Sequence, residues 1–290
     1  MQSNITDIPL NLSQHKLNII VDNIERDFLS DHALNYVTTG FEQEFYLSCV
    51  PSSDVLQKLA EIDGIAEVKS ELGENQFEIT TIPQIGFVKS CDIIVNFRKK
   101  AQHICNENDM KISFLAVAKS NNPPSSLQLS VVFYEENREK SLDYTHKTLH
   151  KIVQNTVGNL PYVTILTSQT ENCFERIANY AFVRQFKNSP THATWGVENR
   201  TVAIRIAKIP DGSRRLEYRT PSSCADPHRV AIAFLLSAII KTTQKYPQTF
   251  VDSCTSNEPH LPRTNADAIR IFSGSYFEKK LQYYLQKHGI

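Results

Sequence analysis

Residues 194–239 read "TWGVENRTVAIRIAKIPDGSRRLEYRTPSSCADPHRVAIAFLLSAI". Apolar and polar residues alternate on both sides of "IPDGS", which is typical of two β-strands joined by a turn. In the second strand Arg215, Glu217 and Arg219 therefore point to one face of the sheet. Asp226 can cap the apolar helix that follows, and Pro227 suits its first position. The stretch predicts a strand pair followed by a buried helix, and hence a mixed α and β domain.

The same two kinds of pattern recur outward along the chain. Alternation predicts strands over residues 41–49, 64–71, 75–81, 111–118, 126–134, 162–168, 201–209 and 214–220. Helical spacing predicts helices over residues 53–62, 90–107, 142–157, 171–187, 227–245 and 265–287. Because no repeat or long linker interrupts these elements, we expect one domain over residues 1–290.

Several predicted strands carry polar side chains on a single face. The stretch "GFEQEFYLSC", residues 40–49, turns Phe41 and Phe45 to one side and both Glu42 and Glu44 to the other. "NQFEIT" aligns Gln76 with Glu78 in the same way, and "SSLQLS" aligns Gln128 with Ser130. Taken alone, such alternation is typical of a solvent-exposed sheet face. A face lined by carboxylates for binding is the other interpretation.

Composition excludes some classes of partner. The chain has 31 basic and 31 acidic residues, so it has no electrostatic footprint for nucleic acid or for an anionic membrane. The N-terminus lacks the features of a secretory signal, and the longest apolar run, residues 230–240, is too short to span a bilayer. The six cysteines form no C-x-x-C pair. We expect a cytoplasmic protein with reduced thiols.

The motifs resemble those of one enzyme family, the glutamine synthetases. In its late catalytic segment W-G-x-E-N-R, a later R-I pair, R-[IL]-E-x-R and a helix that starts at proline follow in this order. The matching residues are Trp195, Gly196, Glu198, Asn199, Arg200, Arg205, Glu217, Arg219 and Pro227. "GFEQEFYL" resembles the family's G-x-E-x-E-F strand. "ELGENQFEI", residues 71–79, resembles its E-x-x-x-G-Q-x-E segment, with Asn75 in place of the usual glycine.

The resemblance implies an α+β fold and a metal site. A curved, largely antiparallel sheet would have a carboxylate-lined concave face, with helices outside. Carboxylate oxygens suit Mg²⁺ or Mn²⁺. By resemblance Glu44, Glu71 and Glu78 would hold the metal nearer the amino-acid substrate. Glu42 and Glu217, with Gln128 as third ligand, would hold the nucleotide-side metal, which bridges the nucleotide phosphates.

The resemblance further implies an ATP-dependent ligase that joins glutamate or a related acid to an amine through an acyl phosphate. Negative charge develops on phosphoryl oxygens in both steps, and guanidinium groups stabilise such charge. Arg200, Arg205 and Glu217 are the expected nucleotide-binding residues. The expected catalytic residues are Arg200, Arg219 and Arg184, the last as counterpart of the family's substrate-binding arginine.

The chain also departs from the family pattern. Gln128 and Ser130 stand where the family has its metal-binding histidine strand, and "NNPPSS" replaces a glycine-containing loop that contacts the substrate. Asn188 stands near the place of a flap glutamate that helps to deprotonate ammonium. About 35 residues precede "GFEQEF", so we expect the family's N-terminal β-rich domain to be absent.

These departures leave a second hypothesis open, a non-catalytic homologue that binds nucleotide or metal or acts as a regulatory subunit. For the ligase, the expected partner is a small-molecule amino acid or amine as substrate. We also expect a monomer or a homo-oligomer smaller than the family's ring, or a partner chain that supplies the missing domain.

Overall fold

A largely antiparallel sheet is the scaffold of the chain in a computed structural model, which describes residues 12–119, 121–135, 141–143, 145–178, 185–209 and 213–290. The nine strands in this part of the chain are β1 (Tyr36–Leu47), β2 (Ile65–Ser70), β3 (Gln76–Thr81), β4 (Gln84–Ile85), β5 (Ile112–Ser113), β6 (Leu127–Tyr134), β7 (Trp195–Val197), β8 (Ile204–Lys208) and β9 (Arg214–Tyr218). Their order is β2-β3-β1-β6-β9-β8-β7, and β4 and β5 also pair with β1. β7 runs parallel to β8, whereas the other described pairs are antiparallel.

Helices cover one face of this sheet. They are α1 (Gln14–His32), α2 (Ser53–Ala60), α3 (Val88–Glu107), α4 (Lys147–Thr167), α5 (Glu171–Ala178), α6 (Pro227–Ile239), α7 (Asn265–Phe272) and α8 (Tyr276–Lys287). The helix α6 begins as predicted, since the Asp226 side chain accepts hydrogen bonds from the backbone N–H groups of His228 and Arg229. Because α6 is apolar on almost all sides, it is buried between α1, α3 and α4.

The aromatic side chains of β1 show which face the helices cover. The ring of Phe45 in β1 lies 5.7 Å from that of Phe97 in α3. Gln43, between Phe41 and Phe45, is buried on the same side, where its side-chain oxygen accepts hydrogen bonds from Arg98 of α3. Since side chains alternate along a strand, Glu42 and Glu44 point to the opposite face. The structure thus confirms the predicted α+β fold and the division of β1 into an apolar and an acidic face.

One predicted element is of the wrong type. Residues 162–168 were expected to form a strand because Val163, Thr164 and Ile165 are β-branched, yet residues up to Thr167 are the last turns of α4. These turns are buried, and α4 packs along α6. Tertiary packing therefore outweighs the local strand preference, which is weak and dependent on context.

Several predicted boundaries are also wrong. The strand expected at 201–209 begins at Ile204, because the Asn199 side chain accepts hydrogen bonds from the N–H and hydroxyl of Thr201 and holds a turn there. The helix expected at 265–287 is interrupted after Phe272, and Ser275 caps a new helix. β5 contains two residues of the strand expected at 111–118, and α6 ends at Ile239. The elements α1, β4 and β7 were not predicted.

Candidate functional site

Strand register places the predicted acidic residues on one face. Glu44 of β1 lies directly opposite Glu78 of β3, and Glu42 lies opposite Gln128 of β6. On the other side of β6, Ser130 pairs with Glu217 of β9, which in turn pairs with Arg205 of β8. Residues paired across strands share a face. Side chains from five adjacent strands therefore converge on the face opposite the one that α3 covers.

These side chains line a cavity of about 400 Å³. Nine of the predicted site residues lie on its wall, namely Glu42, Glu44, Glu71, Glu78, Gln128, Arg200, Arg205, Glu217 and Arg219. The tenth, Arg184, lies outside the described residues. The structure thus brings together residues that are as much as 177 positions apart in the sequence, from Glu42 to Arg219.

Glu217 is the most strongly paired carboxylate in the cavity. Its side chain is 1% exposed, and it accepts hydrogen bonds from Arg205, Arg215 and Arg219 at 2.7 to 3.3 Å. Burial raises the pKa of Glu217, but the charges of Arg219, Arg215 and Arg205 together lower it by more. The net effect is a pKa below the usual range, so this carboxylate stays ionised.

The pKa values of Glu44 and Glu78 are raised, whereas that of Glu217 is lowered. Burial raises the pKa of Glu44 to about 7, although the backbone N–H of Ser126 donates to its carboxylate at 2.8 Å. Burial and the nearby charges of Glu42 and Glu44 also raise the pKa of Glu78, against the effect of an ion pair with Lys69 at 2.7 Å. This end of the cavity therefore has more negative than positive charge.

Four basic residues of the cavity, namely Lys69, Arg176, Lys187 and Arg215, are not among the predicted site residues. Lys69 lies opposite Glu78 in the β2–β3 pair, Arg215 precedes Glu217 by two positions in β9, and Arg176 is buried in α5. Alternation in β2 and β9 places Lys69 and Arg215 on the acidic face, and that signal was present in the sequence. Arg176 had no comparable signal, because the direction in which α5 faces depends on tertiary packing.

The nucleotide-side position does not fit a metal ion. Arg215 binds both Glu42 and Glu217, and Arg219 donates to the side-chain oxygen of Gln128 as well as to Glu217. The side-chain oxygens of all three predicted ligands, Glu42, Glu217 and Gln128, thus already accept hydrogen bonds from arginine side chains. In the described part of the chain, no three His, Cys, Asp or Glu side chains are grouped closely enough to hold a metal ion.

The other position is a partial fit. Glu44 and Glu78 face each other, and Lys69 forms an ion pair with Glu78. Two carboxylates together with water and substrate oxygens are a common environment for Mg²⁺. Glu71 lies on the cavity wall, but its carboxylate accepts from the N–H of Leu72, next to it in the chain. It does not join Glu44 and Glu78 as a third ligand.

Two loops close the sides of the cavity. Pro123 and Pro124 line one side, and their carbonyl oxygens accept hydrogen bonds from Tyr46 and Gln76. Residues 185–189 line another, with Asn188 exposed at the wall where the family flap would provide a glutamate. The proline loop is therefore held in place by side chains of β1 and β3.

Two cysteines that are distant in the sequence meet next to the site. The sulfur atoms of Cys173 in α5 and Cys224 in the loop before α6 are 3.2 Å apart. A hydrogen bond from Cys224 lowers the pKa of Cys173 to about 5, and Ser223, next to Cys224, accepts hydrogen bonds from Gln43 and Arg98. The sequence did not predict this contact, because the two cysteines form no C-x-x-C motif.

The described helices include none that combines the length and the apolar character needed to cross a membrane.

Comparison with known proteins places this geometry in a family. The model of the glutamine synthetase catalytic domain matches residues 52–288. The chain is 24% identical over 187 residues to gamma-glutamylputrescine synthetase PuuA of Escherichia coli K12, covering 60% of this chain and 38% of that protein. It is 20% identical over 228 residues to glutamine synthetase of Pyrococcus abyssi, covering 69% and 50%.

Solved structures share the fold. A GmaS/ADP complex superposes with a TM-score of 0.75 at 16% identity, covering 94% of this chain and 74% of that one. A glutamine synthase homolog superposes with a TM-score of 0.69 at 20% identity, covering 93% and 67%. The chain spans about two fifths of the length of gamma-glutamylputrescine synthetase PuuA and about half of the length of the Pyrococcus abyssi glutamine synthetase. Both of these relatives are ligases of the glutamine synthetase type. By its catalytic-domain match and its fold, the chain belongs to the glutamine synthetase family.

Proposed function

We propose that this chain is the catalytic part of an ATP-dependent ligase that joins the carboxylate of glutamate or a related acid to an amine. Family membership supports a ligase, and gamma-glutamylputrescine synthetase among the relatives supports an amine as the second substrate. The observation that carries the proposal is the convergence of the acidic and arginine side chains of β1, β3, β8 and β9, with Gln128 of β6, on one cavity.

The proposed reaction has two steps. A carboxylate oxygen of the acid attacks the terminal phosphorus of ATP, so that an acyl phosphate forms and ADP leaves. The amine then attacks the acyl carbon, phosphate leaves, and the amine loses a proton to give the amide. Arg205 and Arg219 would stabilise the charge on the transferred phosphoryl group, since guanidinium groups bond two oxygens at once. The nucleotide of the GmaS/ADP complex supports a nucleotide as the occupant.

Further residues take roles in this proposal. Arg200 is exposed on the cavity wall, where it can contact phosphates as they enter. Arg184 would bind the carboxylate of the acid, as its place in the sequence suggests. The Mg²⁺ or Mn²⁺ implied by the family would be held by Glu44 and Glu78, with substrate and water as further ligands, and would neutralise charge on the substrates.

Residues 1–290 would form one catalytic domain, located in the cytoplasm. A second copy of the chain or a partner chain would contribute to the complete enzyme, since oligomers are common in this family.

A non-catalytic, nucleotide-binding homologue is the second candidate. The observation that favours it is the pairing of Glu217 and Gln128 with arginines, which leaves the nucleotide-side metal position without free ligands. Asn188 in the expected place of the flap glutamate is consistent with it, since an amide cannot accept the proton of an ammonium group.

Mass-spectrometric product screening distinguishes the two candidates. The protein is incubated with ATP, Mg²⁺ or Mn²⁺, and pools of amino acids and amines. The ligase predicts ADP, phosphate and a new mass equal to acid plus amine minus water, in equal amounts. Glu217→Gln should abolish this product. ATP that stays intact with every pool, although nucleotide binds, would establish the non-catalytic homologue instead.

A further inference from the structure

Arg215 lies between the two carboxylates that would otherwise hold the nucleotide-side metal. Its Nε and Nη2 donate to Glu217 Oε1 at 2.9 and 2.7 Å, and its Nη2 donates to Glu42 Oε1 at 3.3 Å. Glu42 is on β1 and Glu217 is on β9, with β6 between these strands. The guanidinium group therefore bridges across β6, at the point where a divalent cation would bridge the same two side chains.

A metal ion at this point would have to break these ion pairs. Glu217 is almost completely buried and is shared by three arginines. Removing one partner from a buried charge pair leaves an uncompensated charge, which is costly. Arg219 also occupies the side-chain oxygen of Gln128, the third predicted ligand. Arginines thus provide the positive charge here that a metal ion would otherwise provide.

The arginines of the cavity have hydrogen-bond donors to spare. The Nε–H groups of Arg176, Arg205 and Arg219 are buried and have no hydrogen-bond partner among the described residues. Arg176 is 2% exposed and Arg219 is 7% exposed, so bulk water does not satisfy these donors. Buried N–H groups without partners are unfavourable, and those of charged groups most of all. All three arginines line the cavity, where their guanidinium groups can meet a ligand with several anionic oxygens.

The charge of the cavity wall agrees with an anionic ligand. Seven basic and five acidic side chains line the cavity in the described part of the chain. A site that first has to attract metal ions would have an excess of acidic groups. This wall has an excess of basic groups.

We propose that Arg215 takes the place of the nucleotide-side metal and that the phosphates of a nucleoside di- or triphosphate bind directly to Arg176, Arg205, Arg215 and Arg219. No divalent cation lies between the phosphates and these residues. The inference rests on the proposed function only in taking a nucleotide as the occupant. Planar guanidinium groups suit this role because each can donate two parallel hydrogen bonds to phosphate oxygens.

Calorimetric titration with ADP and with a non-hydrolysable ATP analogue tests the proposal, in excess EDTA and in excess Mg²⁺. We expect the two dissociation constants of the wild type to agree within about threefold, a small difference on the scale of nucleotide affinities. Binding that is detectable only with Mg²⁺ would overturn the inference and leave the ligase proposal intact. No binding under either condition would overturn both. Binding in EDTA by a protein that forms no ligase product supports the inference and removes the ligase.

Variants make the test specific to Arg215. In EDTA, Arg215→Met should weaken nucleotide binding by about tenfold or more, since charged bidentate bonds are lost. Mn²⁺ should restore part of that affinity, because Glu42 then loses its ion pair with Arg215 and Glu217 has one arginine partner fewer. Arg214→Met is the matched control, since Arg214 precedes Arg215 in β9 but does not line the cavity. Equal losses in both variants, or no loss in Arg215→Met, would contradict the role of Arg215. Should a variant not fold, the wild-type comparison in EDTA and Mg²⁺ still decides the question.

Discussion

Glu44 links the ionisation of the site to the stability of the protein. Its pKa is raised to about 7 in the folded state, whereas the unfolded chain ionises this group near the ordinary value of 4.5. Below the ordinary value both states hold the proton, and the contribution of Glu44 to stability is fully present. As the pH rises toward and through 7, the folded protein must hold a buried charge, so this contribution is lost.

We therefore predict that Glu44→Gln stabilises the protein at pH 8 by about 1–3 kcal/mol, with a smaller gain at pH 5. The glutamine keeps an oxygen that can accept the hydrogen bond from Ser126 but has no charge to bury. Denaturant unfolding at both pH values measures the effect. Glu67→Gln, an exposed site on β2, is the control and should change stability by less than about 0.5 kcal/mol. A Glu44→Gln variant less stable than wild type at pH 8 would contradict this account.

Glu217 should respond in the opposite way. Glu217→Gln removes the negative charge shared by Arg205, Arg215 and Arg219, and we expect a loss of about 3–5 kcal/mol at pH 7. Unfolding free energies with the same Glu67→Gln control provide the measurement. Unchanged stability would contradict this prediction, because three neighbouring guanidinium groups that lose their shared carboxylate should repel one another.

At the scale of elements, the site depends on how α5 and the loop before α6 meet. Arg176 of α5 donates to the backbone oxygens of Thr220 and Arg219 at 2.7 and 3.0 Å, and so fixes the end of β9. Cys173, one turn before Arg176, contacts Cys224 in the loop. The two contacts join the same pair of segments.

We predict that a thiol oxidant such as diamide joins Cys173 and Cys224 in a disulfide, with diamide taking up the two hydrogens. Their sulfur atoms are already 3.2 Å apart, and thiolate character at Cys173 favours the reaction. Peptide mass spectrometry should find the linked pair, 2 Da lighter than the two thiols. Cys224→Ser should abolish the link. Oxidation that modifies Cys49 and leaves this pair unlinked would contradict the prediction.

Local sequence patterns predicted most of the helices and strands that are buried on one face only. Alternation placed Glu42 with Glu44 on one face of β1 and Arg215 with Glu217 on one face of β9, and the cap at Asp226 located the start of α6. The end of α4 was missed because burial on all sides removes the helical period from its sequence. β7 is a strand because it pairs with β8. The sequence of β7 alone does not predict this pairing.

At the scale of the whole molecule, motif order predicted the family and the convergence of the site, but not its charge balance. The resemblance implied carboxylates that hold two metals, whereas the structure places Arg215 and Lys69 on three of those carboxylates. Such pairing depends on which neighbour a long side chain reaches across the sheet. Strand alternation reveals the face of a residue but not its partner.

The transfer of oxygen from acid to phosphate tests the proposed ligase most directly. The acid identified by product screening is labelled with ¹⁸O in its carboxylate, and the protein converts it with ATP and the amine. An acyl phosphate predicts one ¹⁸O atom in each released phosphate, because the bond that breaks in the second step joins the labelled oxygen to the acyl carbon. Phosphate without label, released at the same rate as ADP, would mean that water attacks ATP and would contradict the ligase mechanism.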